Sequence, residues 1–179
     1  MKLIIINGLP GTGKTTIAQP LALKLRLPLI SKDTIKEFLF DTVGLGDREW
    51  SKILGKASSE FLYSLTDDLL ANDKSVIIES AFELSFATPK IQSYIDKYNP
   101  DIIEIYLITQ QDTRRQRFID RNESGERHVG HVDQANYLTE NEGEPYEKYA
   151  PLNLGKLIKI DTTNNPVNVD QLIHEIQKF

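Results

Sequence analysis

Leu3-Ile4-Ile5-Ile6-Asn7-Gly8-Leu9-Pro10-Gly11-Thr12-Gly13-Lys14-Thr15 is the stretch on which the reading of this chain turns. Leu3–Ile6 is a run of consecutive apolar β-formers, the pattern of a strand covered on both faces. Gly8–Thr15 then satisfies the Walker A pattern G-x-x-x-x-G-K-[ST] at every fixed position. Behind it, Ile17, Leu21 and Leu25 recur on one helical face. A strand, a glycine-rich turn and a helix in that order make a phosphate cradle. The glycines let backbone N–H groups turn inward around phosphate oxygens, and the helix N-terminus adds partial positive charge. Lys14 is expected to reach the β- and γ-phosphates, and the Thr15 hydroxyl to ligate Mg²⁺. Gly8, Pro10, Gly11, Thr12, Gly13 and Thr16 complete the expected nucleotide contacts. Pro20 removes a hydrogen bond in the second turn of the helix, at a cost of about 3 kcal/mol, so a kink is expected there.

Outward from this stretch the chain alternates buried strands with helices. Strands are expected at Pro28–Ile30, Ser75–Ile78, Ile102–Ile108 and Leu157–Ile160. Thr34–Phe40 reads as helix, as does about Glu49–Leu70, where Trp50, Ile53, Ala57, Phe61, Leu65 and Leu69 keep a three-to-four residue spacing. Thr88-Pro89 predicts a cap and first helical residue, with Ile91, Ile95 and Tyr98 turned inward. Val169, Leu172, Ile173 and Ile176 form a closing amphipathic helix. Such alternation implies a parallel sheet with right-handed crossovers, and 179 residues suffice for one α/β domain spanning 1–179. The stretches 112–131 and 139–151 are the least regular.

Composition narrows the function. Hydrophobic residues make up 40% and charged residues 26%, as in ordinary globular proteins. No cysteine is present, which removes disulfides and thiolate metal sites and fits a cytoplasmic protein. Leu3–Ile6 is too short for a signal or membrane segment. The net charge of −5 argues against a broad nucleic-acid-binding face. Yet five of the seven arginines lie within 114–127, a stretch without lysine. Guanine-nucleotide switches need an Asn-Lys-x-Asp element, which is missing, so ATP is expected over GTP. Asp41-Thr42-Val43-Gly44 matches a short switch pattern but ends a helix instead of following a buried strand. Large remodelling ATPases need a longer module.

Taken together, Gly8–Thr15, Ile30-Ser31-Lys32-Asp33, Val76-Ile77-Ile78-Glu79-Ser80, Arg117–Arg121 and Arg127-His128 resemble small P-loop kinases of the predicted-kinase or zeta-toxin-like type. These are relatives of nucleoside monophosphate, shikimate, gluconate and polynucleotide kinases. The resemblance implies a P-loop NTPase fold, three-layer α/β/α, with a five-stranded parallel sheet of order 2-3-1-4-5. It also implies an arginine-rich lid, about 112–131, over the nucleotide. The activity it implies is transfer of the γ-phosphoryl of ATP, with Mg²⁺, to a hydroxyl of an unidentified small acceptor. A 5′-hydroxyl polynucleotide kinase and a non-kinase regulatory ATPase are the alternatives.

The resemblance assigns roles that the residues themselves leave open. Asp33 accepts the acceptor's proton or contacts Mg²⁺; equally, it caps the helix after it, a job Ser31 could share. Glu79 sits where a Walker B carboxylate would, holding metal or acceptor, or it is a strand-end glutamate facing solvent. Arg114, Arg117 and Arg121 share one helical face, where arginine forks suit phosphates. The resemblance puts Arg117 by the adenine, Arg121 on the transferred phosphoryl and Arg127 on the lid loop. Alternatively, Asp112, Asp120, Glu123 and Glu126 neutralise a solvated face. His128, with His131, contacts acceptor or phosphate from the lid, or lies on the surface; two histidines make a poor metal site. Thr162–Pro166 either wraps adenine or is a plain loop.

Overall fold

Side chains along a strand point alternately to its two faces, and in the first strand both sets are apolar. The computed structural model describes residues 1–125, 127–131, 146–164 and 166–179. In it, β1 (Lys2–Gly8) lies at the centre of a five-stranded sheet. It pairs in parallel with β3 (Val76–Glu79) on one side and β4 (Asp101–Ile108) on the other. β2 (Leu29–Ser31) lies outside β3, and β5 (Lys156–Asp161) outside β4, both parallel. The order is therefore 2-3-1-4-5, as the resemblance implied.

Leu3 and Ile5 enter one core layer with Leu62, Tyr63 and Leu70 of α3 (Arg48–Ala71) and Ala87, Ile91 and Tyr94 of α4 (Leu84–Tyr98). Ile4 and Ile6 enter the other with Ile17, Ala18 and Leu21 of α1 (Lys14–Leu25) and Leu172 and Ile176 of α6 (Val169–Ile176). Each such buried aliphatic chain contributes roughly 1.5–3 kcal/mol. Packed layers on both sides bring the carboxyl ends of the strands into one crevice, where open α/β sheets bind ligands. α2 (Lys32–Val43) and α5 (Gln111–Glu123) flank that crevice. No helix among the described residues is long and apolar enough to cross a membrane.

The structure corrects several boundaries. The first part of the 112–131 stretch is regular, because α5 carries Arg114, Arg115, Arg117 and Arg121 as far as Glu123, while Arg127 lies beyond the helix. α4 starts one turn before Thr88, because the amides of Phe86 and Ala87 both donate to the Glu83 carbonyl and Ala87 is fully buried. Pro89 thus lies inside the helix. α1 likewise runs on through Pro20 as far as Leu25. In α3 the inward face is Ser51, Leu54, Ser58, Leu62, Thr66 and Leu70, while Ile53 and Phe61 are exposed. Serine and threonine occupy the inner face because their hydroxyls bond back along the helix, Ser58 Oγ to the Leu54 carbonyl (2.6 Å) and Thr66 Oγ1 to that of Leu62 (2.7 Å). Part of the polar stretch 139–151 and the acidic Glu126 lie outside the described residues.

Buried polar bonds fix the root of the phosphate loop. Asn7, wholly buried, donates to Glu104 Oε1 of β4 at 2.9 Å and accepts from the amides of Gly8 (2.8 Å) and Phe82 (3.1 Å). The same Glu104 carboxylate accepts from the amides of Leu152 (3.0 Å) and Asn153 (3.1 Å). Glu104→Ala would orphan three donors inside the protein, each worth about 1–3 kcal/mol. A urea titration should show a loss of stability on the order of 3 kcal/mol or more; a midpoint within error of wild type would contradict this account of the loop's anchorage.

Candidate active site

The chain leaves β1 at Gly8, whose φ of +146° and close approach to β4 exclude other residues: an added Cβ would stand 2.6 Å from the Leu107 carbonyl oxygen. The loop then passes through Gly11 and Gly13, at φ of +80° and +81°, and Gly13 becomes the N-cap of α1. Thr12 closes the turn, its Oγ1 donating to the Leu9 carbonyl at 2.8 Å. Lys14 opens the helix, buried, with Nζ donating to that same carbonyl at 3.0 Å. The first amides of α1 have no helical acceptor and therefore present donors to the cleft. This cleft measures about 1250 Å³ and is lined by Pro10, Gly11, Thr12, Gly13, Lys14, Thr15 and Thr16 together with the residues below.

The second wall comes from β3 and α2. Glu79 is 2% exposed, so it is not a solvent-facing strand end. Ser31 Oγ donates to its Oε2 at 2.6 Å. Burial pushes the Glu79 carboxyl up, opposed by the Lys14 ammonium and by hydrogen bonds from Ser31 and Thr15. Burial likewise lowers Lys14, while Glu79 and Asp33 raise it. Ser31 is the backbone N-cap of α2 and spends its side chain on Glu79. Asp33, two residues on, is not the cap; it stands exposed in the first helical turn, at the cleft, within electrostatic reach of Lys14 and Glu79.

α5 supplies the third wall. Arg114 is buried with its backbone against the phosphate loop, where a Cβ on Gly11 would meet its carbonyl oxygen at 3.0 Å. Arg117 donates to the Gly11 carbonyl (3.3 Å) and, more closely, to the Thr162 carbonyl (2.6 Å). It therefore ties the phosphate loop to the segment after β5. Thr162 Oγ1 completes that tie, donating to the Thr12 carbonyl at 2.9 Å. Thr163, Asn164 and Pro166 continue the cleft from there, and Asn165 lies outside the described residues. Arg121 is exposed at the cleft, and the Arg127 guanidinium sits 4.7 Å from the centre of the Phe118 ring.

Beyond Arg127 the chain crosses to α2. His128 Nε2 meets Asp41 Oδ1 at 3.1 Å, and its ring stacks on Phe40 with 5.6 Å between centroids. His131 Nε2 meets Glu37 Oε1 at 3.0 Å. Gly130 fits between them because a Cβ there would lie 2.3 Å from the Phe40 ring. His128 thus faces α2 outside the cleft, and it is His131 that lines it. Lys36 also lines the cleft, buried, its ammonium 5.4 Å from the Phe40 ring centre. Sequence reading passed over Lys36, although its position one turn from Asp33 puts both on one helical face.

A parallel 2-3-1-4-5 sheet with this cradle defines a kinase-type P-loop nucleotide-binding domain. The chain belongs to the AAA_33 family, an AAA domain, whose profile matches residues 3–140. No curated protein matches it. Among solved structures it is similar to a candidate kinase from Chloroflexus aurantiacus J-10-fl, at 34% identity and a TM-score of 0.89, covering 99% of this chain and 97% of that one. Chaetomium thermophilum Kti12 in complex with ADP-AlF3 shares the fold at 18% identity and a TM-score of 0.61, covering 98% and 97%. Mycobacterium tuberculosis APS kinase CysC, in complex with AMPPNP and APS, does so at 16% identity and 0.58, covering 99% and 95%.

Proposed function

We propose that the protein transfers the γ-phosphoryl group of ATP to a hydroxyl of a small acceptor bound between α2, the end of β3 and the 127–131 segment. The observation that carries this reading is the placement of two carboxylates, Asp33 and Glu79, in electrostatic contact with the phosphate-loop lysine across one cleft. Nucleotide binding alone needs only the loop; an exposed Asp33 opposite it suits an incoming hydroxyl. The acceptor oxygen attacks the γ-phosphorus in line, the bond to the β–γ bridging oxygen breaks, ADP leaves and Asp33 takes the hydroxyl proton. Lys14 and Arg121 hold the charge that accumulates on the phosphoryl oxygens. Arg127 works at the seam between phosphoryl and acceptor, and Arg117 and Thr162 shape the side toward the base. The Thr15 hydroxyl and Glu79 carboxylate are oxygen donors that face one another, a pairing suited to Mg²⁺, which keeps waters and phosphates as its other ligands. When bound, that ion neutralises phosphate charge.

The decisive experiment measures ADP formation with nucleosides, sugars, antibiotics and 5′-hydroxyl oligonucleotides as acceptors. One class should raise ATP consumption well above the acceptor-free rate. Stimulation by oligonucleotides alone would make it a polynucleotide kinase, and stimulation by none would favour a regulatory ATPase.

The 112–131 segment works as the lid in this reading, closing over ATP to exclude water. Hydrogen exchange should slow across it, as well as in the phosphate loop, when a non-hydrolysable ATP analogue saturates the protein. Unchanged exchange at 112–131 would mean a fixed wall.

A further inference from the structure

A helix is a rigid element, so whatever grips one edge of α2 bears on every residue along that edge. Asp33, Glu37 and Asp41 follow one another at intervals of four in α2 and share such an edge. The 127–131 segment is seated on the last two. His131 Nε2 meets Glu37 Oε1 at 3.0 Å, and His128 Nε2 meets Asp41 Oδ1 at 3.1 Å. Between these contacts Phe40 is 2% exposed, stacked on the His128 ring and met edge-on by His131 at 6.0 Å between centroids.

Hydrogen bonds within the segment hold it in the shape that fits this seat. The Gly130 amide donates to His128 Nδ1 at 3.1 Å, and the His131 amide donates to the His128 carbonyl at 3.1 Å. An Nδ1 that accepts leaves the ring hydrogen of His128 on Nε2, where Asp41 takes it. At its other end the segment is joined to α5, through the Arg127 guanidinium 4.7 Å from the centre of the Phe118 ring. α5 in turn reaches the phosphate loop, where Arg117 donates to the Gly11 carbonyl at 3.3 Å. Contacts therefore run without a break from the phosphate loop, through α5 and the 127–131 segment, to the edge of α2 that carries Asp33. His131 stands where that path meets the cleft, within electrostatic reach of Asp33.

We propose that the His128–His131 turn is a strap coupling the lid to α2, and that Glu37 and Asp41 are positioning residues which, through it, set Asp33 against the bound nucleotide. When the arginines of α5 engage the ATP phosphates, the strap fixes the carboxylate that receives the acceptor's proton. Transfer then waits on a captured nucleotide. This inference rests on the kinase reading above, and its test separates the two.

Hydrogen exchange on the whole chain, without nucleotide and with magnesium and a non-hydrolysable ATP analogue, follows the phosphate loop, α5 and α2 together. In wild type the analogue should slow α2 roughly tenfold, along with the phosphate loop. In the double variant Glu37→Ala/Asp41→Ala the phosphate loop should still be protected, while the slowing at α2 disappears. Glu37→Gln should keep it, because the amide carbonyl still accepts the His131 hydrogen. Circular dichroism checks each fold. Should the double variant not fold, Asp41→Ala alone removes an exposed carboxylate and should lose part of the slowing at α2. An α2 untouched by the analogue in wild type, or slowed equally in the folded variants, overturns the proposal. With the acceptor that the ADP screen identifies, the double variant should lose kcat about tenfold while the KM for ATP stays near wild type. An unchanged kcat in the folded protein also overturns it. If no compound accepts phosphate, the kinase reading fails, while the exchange pattern still decides whether the strap couples the lid to α2.

Discussion

Lys14→Ala should fold normally and consume ATP on the order of 10²–10³ more slowly than wild type, whichever acceptor is supplied. The expected loss comes from removing a preorganised charge that the structure sets at the phosphate loop before any ligand arrives. Its ammonium is buried, bonded to the Leu9 carbonyl, and flanked by Glu79 and Asp33. The fold should survive because neither partner is stranded. The Leu9 carbonyl keeps its 2.8 Å bond from Thr12 Oγ1. Glu79 keeps its 2.6 Å hydrogen bond from Ser31 Oγ, and burial, which already pushes its carboxyl up, favours the neutral form further once the lysine is gone. Circular dichroism should superimpose on wild type, and a coupled assay of ADP release should show the deficit. Near-normal turnover by the folded variant would remove the phosphate-loop chemistry on which the proposed reaction depends.

What the sequence made legible, and what it hid, follows from the range of the interactions involved. The cradle was readable because its chemistry is contiguous: the glycine turns and the Lys14 and Thr15 side chains follow one another within Gly8–Thr15. The apolar runs of β1, β3 and β4 were readable because burial on both faces leaves no polar alternation to confuse them. The start of α2 was misjudged because Ser31 caps with its backbone while its hydroxyl goes to Glu79, a partner 48 residues away. The apolar spacing found α3 but does not mark its inner face, because Ser58 and Thr66 count as polar by type yet bury hydroxyls already satisfied within the helix. Glu104 and Asn7 gave no local signal at all, since their bond spans 97 positions. His128 and His131 were indistinguishable until Phe40 divided them, stacking with one outside the cleft and leaving the other to line it.

Asp33→Asn should keep ATP binding and lose acceptor phosphorylation by about 10²–10⁴-fold, the usual range for a general base. The substitution preserves the side chain's size and removes only its charge and basicity. It also isolates the chemistry more cleanly than the sequence allowed. Had Asp33 been the N-cap of α2, asparagine would have capped as well and a stability effect could have mixed with a catalytic one. With Ser31 in that place, Asp33 touches helix stability only as a first-turn acid, worth about 0.3–1 kcal/mol and less at an exposed site in salt. Fold and nucleotide affinity should therefore stay close to wild type, and the loss should fall on kcat with the acceptor that the ADP screen identifies. The split between binding and transfer is the readout: an ATP titration by calorimetry on one side, acceptor-dependent ADP formation on the other. Full transfer by Asp33→Asn would reduce Asp33 to a carboxylate that favours the start of a helix, and the base would have to be sought elsewhere along the cleft.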